Sequence, residues 1–334
     1  MHNIIVSPSG QLYGSENVLF DFLKGSHKKY SIYVPDGSVF HRKLRENSFE
    51  AIGFKNLSLL YLQLFFQMLF QRKNLILNEA GHIRYIKLLA KLLPFRNFVV
   101  IIRLLEDCNA HLNNLPKNIE LIAVSNFIKD KVVSNRPIHV IYDPFVISQF
   151  SSSNTKEREG NISVGVIGRV YQSKGLDYFI DLIKYFNPDQ RKMYKFMFYG
   201  NYDIKNPWLK NFKATLDELP SVNYELKGFV NDQETLFNSI DVILHFNENE
   251  ALGRILFEAI NYNKPFLCFS QGGAGELAYN LGLKSFTFSD VSEIPDKLDA
   301  LKIAKSKILI ANAKNKIKEN YSSENYAHQI ENFL

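Results

Sequence analysis

Short apolar runs alternate with helix-like patterns along most of this 334-residue chain. Such alternation is typical of βα units that build parallel sheets, because a strand covered on both faces carries apolar residues at most positions. In the first half the pattern predicts strands at 3–7, 30–35, 74–78, 97–103, 120–124 and 138–142. It predicts helices at 15–23, 58–71, 83–93 and 126–134.

A second series of the same kind follows a polar segment, 151–161, that lacks periodicity and is predicted to be a linker. Its predicted strands are 162–168, 195–199, 222–227, 242–246, 265–269 and 285–288. Its predicted helices are 176–186, 233–239, 254–261 and 274–281, with further helix after 293. We therefore expect two doubly wound α/β domains, 1–150 and 162–334, with the last helix free to pack back on the first.

The positive charge is concentrated in the first half. Residues 1–150 hold 18 Lys or Arg against 11 Asp or Glu, a net +7, whereas residues 151–334 hold 22 against 23, a net −1. A one-sided basic surface indicates an acidic partner such as a membrane face, phosphates or nucleic acid. The alternative is a basic face that is simply exposed to solvent, which would give the same excess of positive charge.

Two predicted helices of the first half bear on that choice. The first, 58–71, is nearly all apolar apart from glutamines spaced by four, and it is too short to span a bilayer. The second, 83–93, is amphipathic: apolar Ile83, Ile86, Leu89, Ala90 and Leu93 share one face, and basic Arg84, Lys87 and Lys91 lie opposite. Either both helices pack on the sheet, or one or both lie against an anionic membrane.

The first group of candidate functional residues follows strand 162–168. The strand ends in Gly168, where a glycine lets a ligand approach the backbone, and Arg169 and Lys174 come next. Open α/β sheets bind ligands at the carboxyl ends of their strands. Two cations there would suit a diphosphate and would help it to leave. Ordinary surface charges in a βα loop are the alternative.

A second group opens the helix after strand 242–246. A helix that starts near Gly253 would direct free backbone amides at an anion, and a bend there would let Glu250 and Glu258 face one cleft. Carboxylates accept hydrogen bonds from vicinal hydroxyls, so the pair suits a ribose and a sugar. Acids that merely favour the helix dipole are the alternative. The glycine-rich turn 271–276 is a further candidate contact for an anion or a sugar.

Taken in this order, these elements resemble the carboxyl-terminal domain of glycosyltransferase family 4, a retaining family with the GT-B fold. The matching positions are Gly168-Arg169, Lys174-Gly175, Glu250, Gly253, Glu258, Asn263-Lys264-Pro265 and Gly272-Gly273-Ala274-Gly275-Glu276. The strong likeness covers about 162–280. The first half is similar over 8–16, 122–128 and 140–144, with less distinctive motifs.

The resemblance implies two doubly wound Rossmann-like domains with the active site in the interdomain cleft. It also implies roles for matching residues. Arg169 and Lys174 would hold the diphosphate of a nucleotide sugar, and Glu258 would bind the ribose. Glu250 would bind sugar hydroxyls with the amides around Leu252 and Gly253, while Gly14 would let the amino-terminal loop approach the donor. No metal or other cofactor is expected, because the basic side chains and helix amides take the metal's place.

Two departures from the family pattern limit what can be carried over. Many relatives have Gly-x-Gly where this chain has Gly200-Asn201-Tyr202, and many have a histidine near Arg103. A donor-side histidine is therefore not assigned. Four polar residues near the ends of first-domain strands are candidates for acceptor contacts: Glu79, His82, Glu106 and His111.

The predicted function is a retaining glycosyltransferase of the hexosyltransferase kind. It would transfer a sugar to a glycan or lipid-linked oligosaccharide in bacterial surface polysaccharide biosynthesis, such as O-antigen, capsule or exopolysaccharide. Another GT-B enzyme, such as a sugar-nucleotide 2-epimerase, or a non-catalytic sugar-nucleotide-binding protein are the alternatives. A Rossmann dehydrogenase is disfavoured, because Ser7-Pro8-Ser9-Gly10 stands where its glycine fingerprint would be. No nucleic-acid partner is expected, because no recognised module is present.

The predicted location is the cytoplasm, with peripheral attachment to the inner face of the plasma membrane as an extension. The two cysteines, Cys108 and Cys268, fall in different halves and indicate no disulfide framework. The amino terminus lacks a basic region followed by a long apolar stretch, so it does not resemble a signal peptide.

Overall fold

The computed structural model describes residues 2–108, 110–148, 161–301 and 305–334. The chain divides into two compact units, one formed by Met1–Val146 with Lys318–Leu334 and the other by Ile147–Ile317. All of the predicted linker except its last residue lies outside the described residues.

The first unit is built on a parallel sheet that has seven strands among the described residues, in the order β3-β2-β1-β4-β5-β6-β7. The central strands are almost completely buried, which explains why they are apolar at nearly every position. The strands are β1 (Asn3–Val6), β2 (Tyr30–Pro35), β3 (Ala51–Phe54), β4 (Leu75–Leu77), β5 (Phe98–Ile102), β6 (Ile119–Ala123) and β7 (Ile138–Val140). The helices that connect them are α1 (Gly14–Gly25), α2 (Val39–Glu46), α3 (Leu57–Phe70), α4 (Ile83–Leu92) and α5 (Asn126–Lys131).

The second unit repeats this plan with a parallel sheet that has six strands in the described part of the chain, in the order β10-β9-β8-β11-β12-β13. The strands are β8 (Ile162–Ile167), β9 (Tyr194–Tyr199), β10 (Tyr224–Gly228), β11 (Val242–His245), β12 (Phe266–Phe269) and β13 (Thr287–Phe288). The helices are α6 (Asp177–Tyr185), α7 (Pro188–Met193), α8 (Pro207–Glu218), α9 (Gln233–Asn238), α10 (Arg254–Asn261), α11 (Gly272–Asn280), α12 (Ile294–Leu301) and α13 (Lys305–Asn320). Phe179 lies at the centre of its aromatic core and contacts the rings of Phe196, Phe198 and Phe246.

The sequence pattern missed one strand, β3, and three helices, α2, α7 and α8. The edge strand β3 is only half-buried and includes Gly53, so it lacks the apolar run that marks a buried strand. The start of α8 carried a usable signal, because Asn206 caps the backbone amide of Trp208 and Pro207 occupies the first turn. The helix start of α7 has the same form, with Asn187 before Pro188.

The last helix, α14 (Ser323–Glu331), belongs to the first unit and packs against α1. The Tyr30 hydroxyl donates to Oε1 of Glu331 over 2.7 Å. Deeper in the unit, the guanidinium of Arg103 forms an ion pair with Asp143 and donates to the hydroxyl of Tyr326. Arg103 thus joins the sheet to the carboxyl-terminal helix.

We expect the Asp143→Ala substitution to lower the free energy of unfolding by about 3–5 kcal/mol, because it leaves the Arg103 charge buried without its partner. Asp181→Ala is the matched control. It breaks an ion pair with Lys184 in which both side chains are more than half exposed, so it should cost less than about 1 kcal/mol. Urea unfolding followed by circular dichroism measures both, and equal losses would contradict a structural role for the buried pair.

Candidate active site

Helix α10 begins at a sharp bend, as the sequence predicted. Gly253 precedes the helix with φ at +81°, a left-handed conformation that other residues rarely adopt. The next residue, Arg254, starts the helix, so its first-turn amides point out from the carboxyl edge of the sheet. Leu252, beside the bend, is buried and anchors the loop.

The glycine-rich turn at the start of α11 positions the loop that carries Glu250. A Cβ atom on Gly273 would lie 2.0 Å from the carbonyl oxygen of Ala251, so only glycine permits this approach. The amide of Gly273 also donates to the carbonyl of Glu250 over 2.7 Å. The turn thus contacts the neighbouring loop closely, and the suggested contact with an anion or a sugar stays a prediction.

Three nitrogen atoms surround one carboxylate oxygen of Glu250. Its Oε2 lies 2.6 Å from Nδ2 of Asn247, 3.2 Å from Nζ of Lys174 and 3.7 Å from Nε2 of His245. Lys174 and Glu250 are 76 residues apart in the chain. The structure therefore brings together two of the predicted catalytic residues.

The environment of Glu250 favours its charged form. Burial alone would raise the pKa of Glu250, but the charges of His245 and Lys174 and the hydrogen bond from Asn247 outweigh burial and lower it. A carboxylate with a lowered pKa keeps its negative charge near neutral pH. Glu250 is therefore suited to accept hydrogen bonds from hydroxyl groups.

Arg169 and Gly168 are exposed at the end of β8. The backbone there is held by β9: Gly168 donates to the carbonyl of Tyr199, and Val170 donates to that of Asn201. Gly168, Arg169, Lys174 and His245 line one small cavity at this edge of the sheet. The predicted diphosphate-binding side chains thus lie on one surface together with the carboxylate of Glu250.

Glu258 lies inside α10 and is half-buried. Burial raises the pKa of its carboxyl group, and the nearby charge of Arg254 opposes that effect. No hydrogen bond joins its side chain to another residue of the described ranges. The expected pairing of the two acids around one ligand stays a prediction.

In the first unit, a group of carboxylates lies where β1, β4 and β5 end. The hydroxyl of Ser15 donates to Oε1 of Glu79 over 2.6 Å. Behind it lie Glu16 and Asp107, each with one buried oxygen that finds no hydrogen-bond partner among the described residues. Burial, together with the charges of Glu79 and Glu106, raises the pKa of Asp107 to about 6. The sequence singled out Glu79 and Glu106 but missed Asp107, although it directly follows Glu106.

The other candidates of the first unit do not belong to this group of carboxylates. His82 is half-buried with its ring 6.4 Å from that of Tyr85, and burial lowers its pKa. His111 is exposed on the short helical turn 110–112, and Gly14 is exposed at the start of α1. Their roles stay predictions. Within the described ranges, no group of three or more His, Cys, Asp or Glu is arranged to hold a metal ion.

The second-unit site also contains residues that the sequence reasoning passed over. His245 ends β11 and Asn247 follows two residues later, and both nitrogen atoms face Glu250. A usable signal was present, because polar residues directly after a buried strand lie at the ligand-binding edge of a parallel sheet.

Two Rossmann-like units with parallel sheets, with Arg169 and Lys174 after β8 and Glu250 before α10, are the arrangement of a GT-B glycosyltransferase fold. Solved structures with this fold match nearly the whole chain. The Anabaena protein HepE, crystallised with UDP and glucose, has a TM-score of 0.79 at 18% identity and covers 99% of this chain and 98% of its own. The lipopolysaccharide outer core galactosyltransferase WaaB has a TM-score of 0.71 at 14% identity, with coverage of 99% and 98%.

Residues 148–332 match the family model of glycosyl transferases group 1. The chain belongs to this family. An uncharacterised 42.6 kDa protein in the cps region of Klebsiella pneumoniae is 29% identical over 192 residues. That match covers 54% of this chain and 47% of the Klebsiella protein, so the chain matches about half the length of this relative.

Proposed function

We propose that this protein is a retaining glycosyltransferase of family 4. It transfers a sugar from a nucleoside diphosphate sugar to a hydroxyl group of a glycan or lipid-linked oligosaccharide in bacterial surface polysaccharide assembly. The observation that carries the proposal is the convergence of Lys174 and Glu250, 3.2 Å apart, beside the exposed Arg169 at the carboxyl edge of a parallel sheet. Two cations that can bind a diphosphate thus lie beside a carboxylate that can accept hydrogen bonds from sugar hydroxyls.

In the proposed reaction, the bond between the anomeric carbon and the phosphate oxygen of the donor breaks. A bond from that carbon to the acceptor oxygen forms on the same face, and the acceptor proton passes to the departing diphosphate. Arg169 and Lys174 stabilise the charge that develops on that diphosphate. The lowered pKa of Glu250 keeps its carboxylate charged, which supports a role in binding the sugar hydroxyls.

Glu258 is proposed to bind the ribose of the donor. Its carboxylate makes no hydrogen bond with the described residues, so its oxygens are available for vicinal hydroxyls. Burial raises its pKa, and a pair of hydroxyl donors would offset the cost of that burial. No metal is assigned to the donor site, because Arg169 and Lys174 can supply the positive charge.

The comparisons support the choice of substrates. HepE was crystallised with UDP, which makes UDP the first nucleotide to test. The Klebsiella relative lies in a cps region, and WaaB acts on the lipopolysaccharide outer core. A sugar-nucleotide 2-epimerase would instead convert UDP-sugar without any acceptor, and a binding protein would leave it unchanged. Product analysis with and without acceptor separates these three functions.

Lys174→Ala should lower turnover on the order of 10²–10³-fold, the scale seen when one donor to a transition-state charge is lost. Lys184→Ala, on the exposed surface of α6, removes the same charge away from the site and should leave turnover unchanged. The measurement is sugar transfer from UDP-sugar by each purified, folded variant. Near-normal turnover of Lys174→Ala would remove Lys174 from the mechanism.

Glu250 and Glu258 should respond differently to nucleotide and to full donor. Glu258→Ala should weaken UDP binding about tenfold, the scale of one hydrogen bond to a charged group. Glu250→Ala should not weaken UDP binding, because it also frees Lys174, but it should impair UDP-sugar binding. Calorimetry with both ligands tests this, with exposed Glu218→Ala as the control. Equal losses of UDP affinity in the two variants would contradict the separate roles.

A second part of the proposal is peripheral binding to an anionic membrane. Helix α3 exposes a row of large apolar side chains, Leu59, Leu62, Phe66, Leu69 and Phe70, and α4 exposes Leu88 and Leu92. Between Glu50 and Glu106 the sequence has a single acid, Glu79, against seven Lys or Arg in 51–100. An exposed apolar surface bordered by cations is suited to a lipid surface with negative headgroups.

The details of α4 refine the sequence interpretation. Ile83, Ile86, Leu89 and Ala90 are buried, which confirms the predicted apolar face. Arg84 and Lys91 are exposed, whereas Lys87 is half-buried and its Nζ donates to the carbonyl of Asn113 over 2.7 Å. We therefore leave Lys87 out of the proposed membrane surface. No helix in the described ranges is long and apolar enough to cross a membrane.

Vesicle sedimentation tests this part. Binding should require anionic lipid, weaken with salt, and fall in the double variant Arg84→Gln/Lys91→Gln, since each basic residue contributes about 1 kcal/mol at such a surface. The double variant Phe66→Ser/Phe70→Ser should weaken the binding that remains at high salt, because it removes two exposed apolar side chains of α3. The control Lys210→Gln/Lys213→Gln removes two exposed charges from α8. A wild-type chain that stays in the supernatant with anionic vesicles at low salt would end the membrane proposal.

A further inference from the structure

His245 is a buried histidine whose outer ring nitrogen lacks a hydrogen bond. The residue is 8% exposed, and its Nε2 finds no hydrogen-bond partner among the described residues. That nitrogen lies 3.7 Å from Oε2 of Glu250, beyond hydrogen-bond distance but close enough to reach it after a small movement. A buried polar atom left unpaired is costly, so its position beside a carboxylate calls for an explanation.

The three nitrogens around Glu250 differ in what they can do when a donor binds. Asn247 already donates to Oε2 from the same loop. Lys174 comes from the turn after β8 and lines the small cavity that also includes Arg169 and Gly168. A diphosphate bound there would attract Lys174, and Oε2 would then lose one of its two hydrogen-bond donors. His245 lines the same cavity and is the nearest replacement.

We propose that His245 is a positioning residue that takes over the hydrogen bond to Oε2 of Glu250 when a donor diphosphate draws Lys174 away. The inference rests on the proposed function, since it requires the diphosphate site at Lys174. The exchange holds Glu250 charged and oriented for the sugar hydroxyls after its salt bridge to Lys174 has opened. In the structure, the salt bridge between Lys174 and Glu250 compensates their two charges.

The charges around His245 predict that donor binding is coupled to a proton. Burial lowers the pKa of His245, the carboxylate of Glu250 raises it, and Lys174 lowers it further. Arg169 is the other charged group that lines the cavity. Moving Lys174 toward the ligand and adding a negative diphosphate both raise the pKa of His245 in the bound state. The complex then holds more protons than the free protein, so affinity increases as the pH falls between the free and bound pKa values.

Calorimetry with UDP-glucose tests the proposal, because its diphosphate carries no group that titrates near neutral pH. Proton uptake is read from the binding heat in buffers of different ionisation enthalpy near pH 6.5. The wild-type chain should take up a fraction of a proton. His245→Leu should abolish the uptake and weaken binding about tenfold, the scale of one hydrogen bond to a charged group. His245→Gln should also abolish the uptake but keep near-normal affinity, because its amide can donate to Glu250.

His139→Leu is the matched control, since His139 has its Nε2 3.5 Å from Glu120 in the first unit and should affect neither quantity. Thermal unfolding checks that each variant is folded. If His245→Leu does not fold, the uptake of His245→Gln still decides the matter. Two results would overturn this inference without touching the proposed function. One is wild-type proton uptake in His245→Gln, and the other is an equal loss of UDP-glucose affinity in His245→Gln and His245→Leu. If the wild-type chain does not bind UDP-glucose, that result contradicts both the inference and the proposed use of this donor.

Discussion

The parallel pairing of β8 with β11 is the constraint on which the candidate site depends. Val242 pairs with Val164 and Ile243 with Gly165, so both strands end at the same edge of the sheet. The loop after one strand carries Arg169 and Lys174, and the loop after the other carries Glu250. Because the carboxyl ends of parallel strands meet, residues 76 positions apart lie within 3.2 Å. An antiparallel pairing would place these loops at opposite edges.

Close backbone packing keeps this arrangement in place. The start of α11 approaches the Glu250 loop so closely that Gly273 cannot carry a side chain. A hydrogen bond from its amide to the carbonyl of Glu250 fixes the loop further. Glu250 is thereby held from the backbone as well as through its side chain, which suits a residue that must orient a sugar.

The first unit uses its buried charges differently. Arg103 is fully occupied by Asp143, Tyr326 and the carbonyl of Asn78, so its charge stabilises the unit and is not offered to a ligand. The carboxylates Glu79 and Asp107 follow the strands β4 and β5, and Glu16 lies in the first turn of α1. Burial raises the pKa of two of them, Glu16 and Asp107. The basic excess of this half of the chain lies elsewhere, in the region of α3 and α4.

The sequence by itself determined the two series of βα units, the bend at Gly253 and the identity of Arg169, Lys174, Glu250 and Glu258 as site candidates. Buried parallel strands and glycine bends leave local signals, since apolar runs and left-handed backbone demand particular residues. Only the tertiary structure decided that Lys174 pairs with Glu250, that His245 lies beside them unpaired, and that Lys87 is tied to Asn113. These are contacts between segments distant in the chain, and they depend on strand order, register and loop packing. A histidine at a strand end looks the same in the sequence whether it fills a core or faces a carboxylate.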